Sequence, residues 1–182
     1  MLIRDRDSTL VIVDMQEKLL AAMPAARERC IRNCLILIEA AHALGIPVLN
    51  TRQYPHGLGD TVTTLRARLP ASASHFDKTC FSCCGASGFV DALAGTGRRQ
   101  VLLAGVEAHV CVLQTASELK ALGYDVFVAA DATAARNDDH RSNALDRLRR
   151  HGIEITNTES ALFEWLKDAS HENFKTLSQL IR

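Results

Sequence analysis

Short, nearly continuous apolar runs recur along this chain, separated by longer stretches whose apolar residues return at helical spacing. TLVIVD (Thr9–Asp14), PVLNT (Pro47–Thr51), QVLLAGV (Gln100–Val106), DVFVAA (Asp125–Ala130) and IEITN (Ile153–Asn157) read as strands, with a shorter one at Ser74–Asp77. A strand that is apolar at almost every position must be covered on both faces, as when helices pack on either side of a parallel sheet. Helical periodicity fills the gaps at Ala25–Leu44, Val110–Leu122 and Asn137–Arg150, and each stretch stops near a glycine, Gly45, Gly123 or Gly152. The β–α–β alternation predicts an α/β, three-layer doubly wound fold: a mostly parallel sheet of about six strands, right-handed crossovers and helices on both faces. The longest stretch without a core pattern, Gln53–Ser72, contains Pro55, Gly57 and Gly59 and reads as a rim around a binding site. No internal repeat or linker interrupts the pattern, and residues 1–182 read as one domain.

A chain of 182 residues can bury a substantial core. Its formal net charge is zero and it has no long basic run, so nucleic acid and anionic membrane are not expected partners. The N-terminus MLIRDRDSTLVIVD is charged before its first, short apolar run, which suits neither a signal peptide nor a membrane span. Without an export signal, the six cysteines are expected to be reduced thiols, and the expected location is the cytoplasm.

In open α/β sheets ligands sit beyond the carboxyl ends of the strands, where the strand order reverses. The first strand ends at Asp14, the short one at Ser74–Asp77 runs into Lys78, and QVLLAGV leads through Glu107 to Cys111. If the first strand and QVLLAGV are neighbours, a carboxylate, an ammonium and a thiol converge. Cys111 would then be a nucleophile, its thiolate favoured by Lys78 and by a helix beginning near His109. Asp14 would take the thiol proton and return it to a leaving amine, and the backbone N–H groups of Glu107 and Cys111 would hold an oxyanion. Taken singly, each residue has a plainer reading: Asp14 as a cap, Lys78 as a surface charge, Cys111 as packing.

VDMQ, FDKTCFS and GVEAHVCVLQTA, in that order and spacing, resemble the isochorismatase-like cysteine hydrolase family, and the resemblance covers nearly the whole chain. The segments QYPHGLG, GYDVFVAADATAAR and HENFKTLSQLIR are similar to its short isochorismatase-domain branch. The resemblance implies a catalytic triad of Asp14, Lys78 and Cys111, and a cis peptide between Val106 and Glu107 that aims the Glu107 N–H at the oxyanion. It implies a small-molecule substrate and a homo-oligomer. Family members that cleave a vinyl ether lack the cysteine, so Cys111 points to acyl chemistry on an amide-like C–N bond. Metal-dependent nicotinamidases carry an Asp-x-His pair after the second strand. NTRQYPHGLGD offers only His56, with His75 well beyond, so neither metal nor cofactor is expected.

Further residues invite a role. Gln16, Tyr54 and Phe81 are expected to contact substrate, as a polar group and two pocket walls. TCFSCCG places Cys80, Cys83 and Cys84 together without a second ligand pair for zinc, and Cys30 and Cys34 lie one helical turn apart. His109 is expected to face away from Cys111, and Asp131 and Arg136 to fix the loop after DVFVAA. Trp165 and the Phe174–Ile181 helix read as packing or a subunit contact. Two rivals to a hydrolase remain: a non-catalytic scaffold on the same fold, and a thiol redox protein using Cys80, Cys83, Cys84 and Cys111.

Overall fold

The computed structural model describes Met1–Arg182. After a turn at Asp5–Asp7, β1 (Ser8–Val13) leads through α1 (Glu17–Ala21) and α2 (Pro24–Ala43) to β2 (Val48–Gln53). Two one-turn helices, α3 (Pro55–Leu58) and α4 (Thr63–Arg66), precede β3 (Ser74–Lys78); α5 (Phe89–Gly95) and β4 (Gln100–Val106) follow. A π-helical turn at Ala108–Val112 continues directly into α6 (Leu113–Ala121). The chain ends with β5 (Asp125–Ala134), α7 (Asp138–Arg150), β6 (Glu154–Thr156), α8 (Thr158–Leu166), α9 (Phe174–Leu177) and a 3-10 turn at Ser178–Ile181.

The six strands are all parallel, in the order β3-β2-β1-β4-β5-β6. From β1 the chain builds outward to β3, then returns to the other side of β1 and builds outward again. The order therefore reverses between β1 and β4. The antiparallel contact present is an isolated bridge, Gln16 to Thr61. Successive residues of each central strand serve opposite faces, the period-two geometry of a pleat. Leu10, Ile12, Leu102 and Ala104 join a core with α2 and α8, whereas Val11, Val13, Val101 and Leu103 join one with α5, α6 and α7. Both faces are dry, which is why the strands read as unbroken apolar runs.

At the reversal the two backbones come unusually close. Gly105 has φ 120°, and a Cβ there would lie 2.1 Å from the Val13 carbonyl oxygen. Only glycine fits.

Several elements differ from the sequence expectation. β5 runs to Ala134 rather than Ala130, because its pairing with β4 slips: Leu103 pairs with Val128, but Gly105 pairs with Thr133. The surplus residues turn Asp131 toward α8, where its Oδ1 accepts from Thr158 N (2.8 Å) and Oγ1 (2.9 Å). Asp131 thus anchors a helix start rather than a loop. The rim segment after β2 contains α3 and α4, and α5 and α8 are too short for their periodicity to stand out. Trp165 is not a subunit contact: it is 1% exposed, and its Nε1 donates to Ser8 Oγ at 3.0 Å. The segment expected as one helix at Phe174–Ile181 is a single α turn followed by a 3-10 turn. Cys30 and Cys34 are buried in α2, and both thiols donate to the Ala132 carbonyl, at 3.2 and 3.6 Å.

Candidate active site

β1 delivers Asp14 to the mouth of the sheet. The residue follows the last residue of the strand and adopts φ 50°, in the left-handed region that aspartate tolerates better than bulkier residues. Thr51, on neighbouring β2, donates its hydroxyl to Asp14 Oδ1 at 2.8 Å. Lys78 closes β3, two strands away, and its long side chain crosses the end of β2 to reach the same point. Its Nζ lies 2.6 Å from Asp14 Oδ2, and both side chains are fully buried. Nζ also donates to Gln53 Oε1 (2.6 Å), the Phe81 carbonyl (2.9 Å) and the Cys80 carbonyl (3.3 Å). Its remaining close contact is Cys111 Sγ, at 3.6 Å. Sheet order alone brings these residues together from distant parts of the chain.

Cys111 sits in the π turn, 5% exposed. The winding is wider than α: the Glu107 carbonyl accepts from both Val110 N (3.1 Å) and Val112 N (3.2 Å). Such turns are frequent at functional sites. The helix here therefore opens as a π turn at Ala108 rather than as the α-helix expected from Val110. The Val106–Glu107 peptide is cis. No protein acceptor meets the Glu107 N–H.

The charges do not make a standing thiolate. Burial pushes the Cys111 thiol up to about 12, the Asp14 carboxylate adds to the rise, and Lys78 pulls the other way without prevailing. For Lys78 burial disfavours the ammonium, yet the charge of Asp14 and the bond to it outweigh burial and raise its pKa. The resting site is thus a neutral thiol beside an ion pair. The expectation that Lys78 and the helix start would ionise the sulfur is corrected: desolvation is the larger effect.

Cys111 opens onto a pocket of about 420 Å³. Leu19, Tyr54, Leu58, Phe81 and Val110 form apolar walls, and Gln53, Thr79 and Glu107 complete the lining. Tyr54 and Phe81 are each 53% exposed and stand at the rim. Gly57 makes room for the tyrosine ring, since a Cβ there would meet Tyr54 Cε1 at 2.4 Å. A larger hollow of about 540 Å³ beside α8 contains none of the reactive groups.

Gln16 has a different place from the one expected. It is wholly buried and does not line the pocket. Its Nε2 donates to the Gln53 carbonyl (3.0 Å) and the Gly59 carbonyl (2.6 Å), and its Oε1 accepts from Gln53 N (2.7 Å). It clamps the rim segment to β2. Gln53 is the residue that sequence reasoning missed. Its Nε2 donates to the Thr79 carbonyl at 2.8 Å while its Oε1 holds Lys78, and its amide is 4.0 Å from Cys111 Sγ. The sequence reading stops the strand at Thr51, whereas β2 runs on to Gln53 and so carries its amide to the mouth of the sheet.

His109 packs its ring against His140, centroids 4.9 Å apart, and makes no bond to Cys111. Arg136 Nε donates to Glu107 Oε2 at 3.0 Å. All six cysteines are free. Cys83 is buried against Thr51, and burial pushes its thiol up to about 12. No three His, Cys, Asp or Glu side chains are arranged to hold a metal ion.

The structure is thus an α/β protein with a doubly wound parallel sheet that gathers a thiol, a carboxylate and an ammonium at its reversal point. The model for the isochorismatase domain matches residues 8–160, and the chain belongs to the isochorismatase family. It is 40% identical over 146 residues to isochorismatase domain-containing protein 1 of Salmo salar, covering 80% of this chain. It spans about half (51%) of that relative's length. It is 37% identical over 180 residues to a secreted isochorismatase effector, Isc1, of Phytophthora sojae, covering 96% of this chain and 84% of that one. Among solved structures, the MAR1 ribonuclease of Caenorhabditis elegans superposes with a TM-score of 0.94 at 36% identity, over 100% of this chain and 92% of that one. The YcaC product of Escherichia coli, an octameric hydrolase of unknown specificity, gives 0.91 at 27% identity, covering 100% and 89%. No helix is long and apolar enough to cross a membrane.

Proposed function

We propose that the chain hydrolyses a small amide or related C–N bond through an acyl-enzyme on Cys111. The observation that carries this reading is the buried Lys78 ammonium, which touches both the Asp14 carboxylate (2.6 Å) and the Cys111 sulfur (3.6 Å). Because the sulfur rests as a thiol, attack needs a base, and Asp14 is the carboxylate at hand. As Sγ bonds to the carbonyl carbon, the thiol proton passes to Asp14 and the carbonyl electron pair moves to oxygen. The backbone N–H groups of Glu107 and Cys111 receive that oxyanion. Collapse breaks the C–N bond, and the amine leaves with the proton held by Asp14. Water then attacks the thioester, giving Asp14 a proton that returns to sulfur as the acid departs. Lys78 holds Asp14 in line throughout and lowers the cost of negative charge on sulfur during transfer.

No cofactor enters this scheme. The same reading takes the protein as a cytoplasmic homo-oligomer, the latter supported by the octameric relative. The ribonuclease name belongs to the nematode protein; here no cationic residue lines the pocket to receive a phosphate.

The test is ammonia release from a panel of small amides, carbamoyl compounds and ureido acids. Cys111→Ala should abolish turnover while leaving the circular dichroism spectrum unchanged; activity retained in that variant would refute the assignment. A scaffold would hydrolyse nothing in the panel, and a redox protein would instead show paired cysteines by mass mapping after mild peroxide.

A further inference from the structure

The pocket beside Cys111 has an uneven electrostatic character that bears on what it admits. Of its lining residues Glu107 alone carries a formal charge, and that charge is negative. The cations nearby are committed elsewhere. Lys78 is fully buried against Asp14, and Gln53 and two carbonyls share its two other hydrogens. Lys18 is outside the lining, its Nζ donating to the Gly57 carbonyl at 2.7 Å. Arg136 meets Glu107 from the solvent side, 61% exposed against 11% for the glutamate. The amide of Gln53 is occupied at both ends. What remains for a ligand is a mostly hydrocarbon wall with one carboxylate set in it.

We infer that this pocket selects uncharged amides with an apolar acyl group and excludes substrates that carry a carboxylate, such as ureido acids and carbamoyl amino acids. The inference deepens the amidase reading and rests on it for the word substrate, but the exclusion of anions follows from the pocket itself. A carboxylate entering here loses its water, gains no cation and faces Glu107. Two like charges about 6 Å apart at an effective dielectric near 20 disfavour entry by roughly a hundredfold. The exposed Arg136 opposes this, leaving an expected discrimination of about tenfold. A neutral amide pays none of this and gains the apolar walls.

The test needs no turnover. Alkylation of Cys111 by iodoacetamide and by iodoacetate, which differ by one charge, is followed by peptide mass mapping and compared with N-acetylcysteine. At Cys111 the preference for iodoacetamide should exceed that of the free thiol about tenfold. Glu107→Gln should bring it close to the reference, and Arg136→Ala should widen it. Equal or faster labelling by iodoacetate relative to the reference would overturn the inference, since it would mean that Arg136 turns from Glu107 to receive the anion. In parallel, levulinamide should be hydrolysed with kcat/KM about tenfold or more above its isosteric anion succinamate; comparable values would equally refute it. Discrimination in alkylation with no amide hydrolysed at all would sink the amidase reading and leave the anion exclusion standing.

Discussion

Replacing Lys78 with methionine isolates the interaction on which the site is built. The substitution keeps most of the volume and removes the ammonium, so the cost is chiefly electrostatic. Asp14 is then left buried with the Thr51 hydroxyl and no counter-ion. Stripping one partner from a buried ion pair typically costs about 3–5 kcal/mol. A second route to the magnitude agrees. The stranded carboxylate can escape by taking up a proton, and at pH 7 that costs a carboxyl of ordinary acidity about 4 kcal/mol. The two routes differ in nothing but bookkeeping, and the second adds a sign. The folded variant holds a proton that the unfolded chain has released, so its stability must rise as pH falls. Between pH 7 and 5 the gain is about 1.4 kcal/mol per unit, so the penalty relative to wild type should shrink from about 4 to about 1.5 kcal/mol. Urea unfolding at both pH values, followed by circular dichroism and by the fluorescence of the single buried tryptophan, Trp165, measures this at one fixed protein concentration. A penalty below about 1 kcal/mol at pH 7, or one that is the same at both pH values, would refute the reasoning, since either requires the carboxylate to be solvated or otherwise paired.

Other outcomes follow from the same structure. Since burial holds the Cys111 thiol near 12, its iodoacetamide reaction rate should climb about tenfold per pH unit through pH 10; a plateau between pH 6 and 9 would show a resting thiolate instead. Gly105→Ala should fail to fold or lose more than about 3 kcal/mol in thermal unfolding, because its Cβ would lie 2.1 Å from a backbone oxygen at the sheet's reversal; a near-native melting temperature would be inconsistent with that approach. Asp131→Ala should cost about 1–2 kcal/mol in urea unfolding by releasing the start of α8, and no measurable loss would mean that the Thr158 N–H finds another acceptor.

The fold was largely legible because covering a sheet on both faces leaves a mark at every strand position. TLVIVD and QVLLAGV could belong only to strands with a dry face on either side, and the glycines after the long helices marked their ends. Short elements left no such mark: α5 has seven residues, and too few turns for periodicity to emerge. The slip in β5 was also hidden, since it depends on which β4 residue each β5 residue meets.

Chemistry divided along the same line. Asp14, Lys78 and Cys111 were visible as reactive residue types at the ends of apolar runs, a local property that one strand suffices to reveal. Gln53 lies two residues past the apolar run and was overlooked, and Gln16 was assigned to the pocket when its amide is spent on the backbone of the rim. No local pattern distinguishes the two, because a side chain's partners are set by which strands become neighbours. The state of the sulfur was likewise decided in three dimensions: a lysine at a strand end and a helix start near His109 suggest ionisation, whereas the depth of Cys111 in the assembled sheet opposes it more strongly. Sequence sets which groups the chain can offer. Burial and strand order, which exist only after long-range pairing, set what those groups touch and in which protonation state they wait.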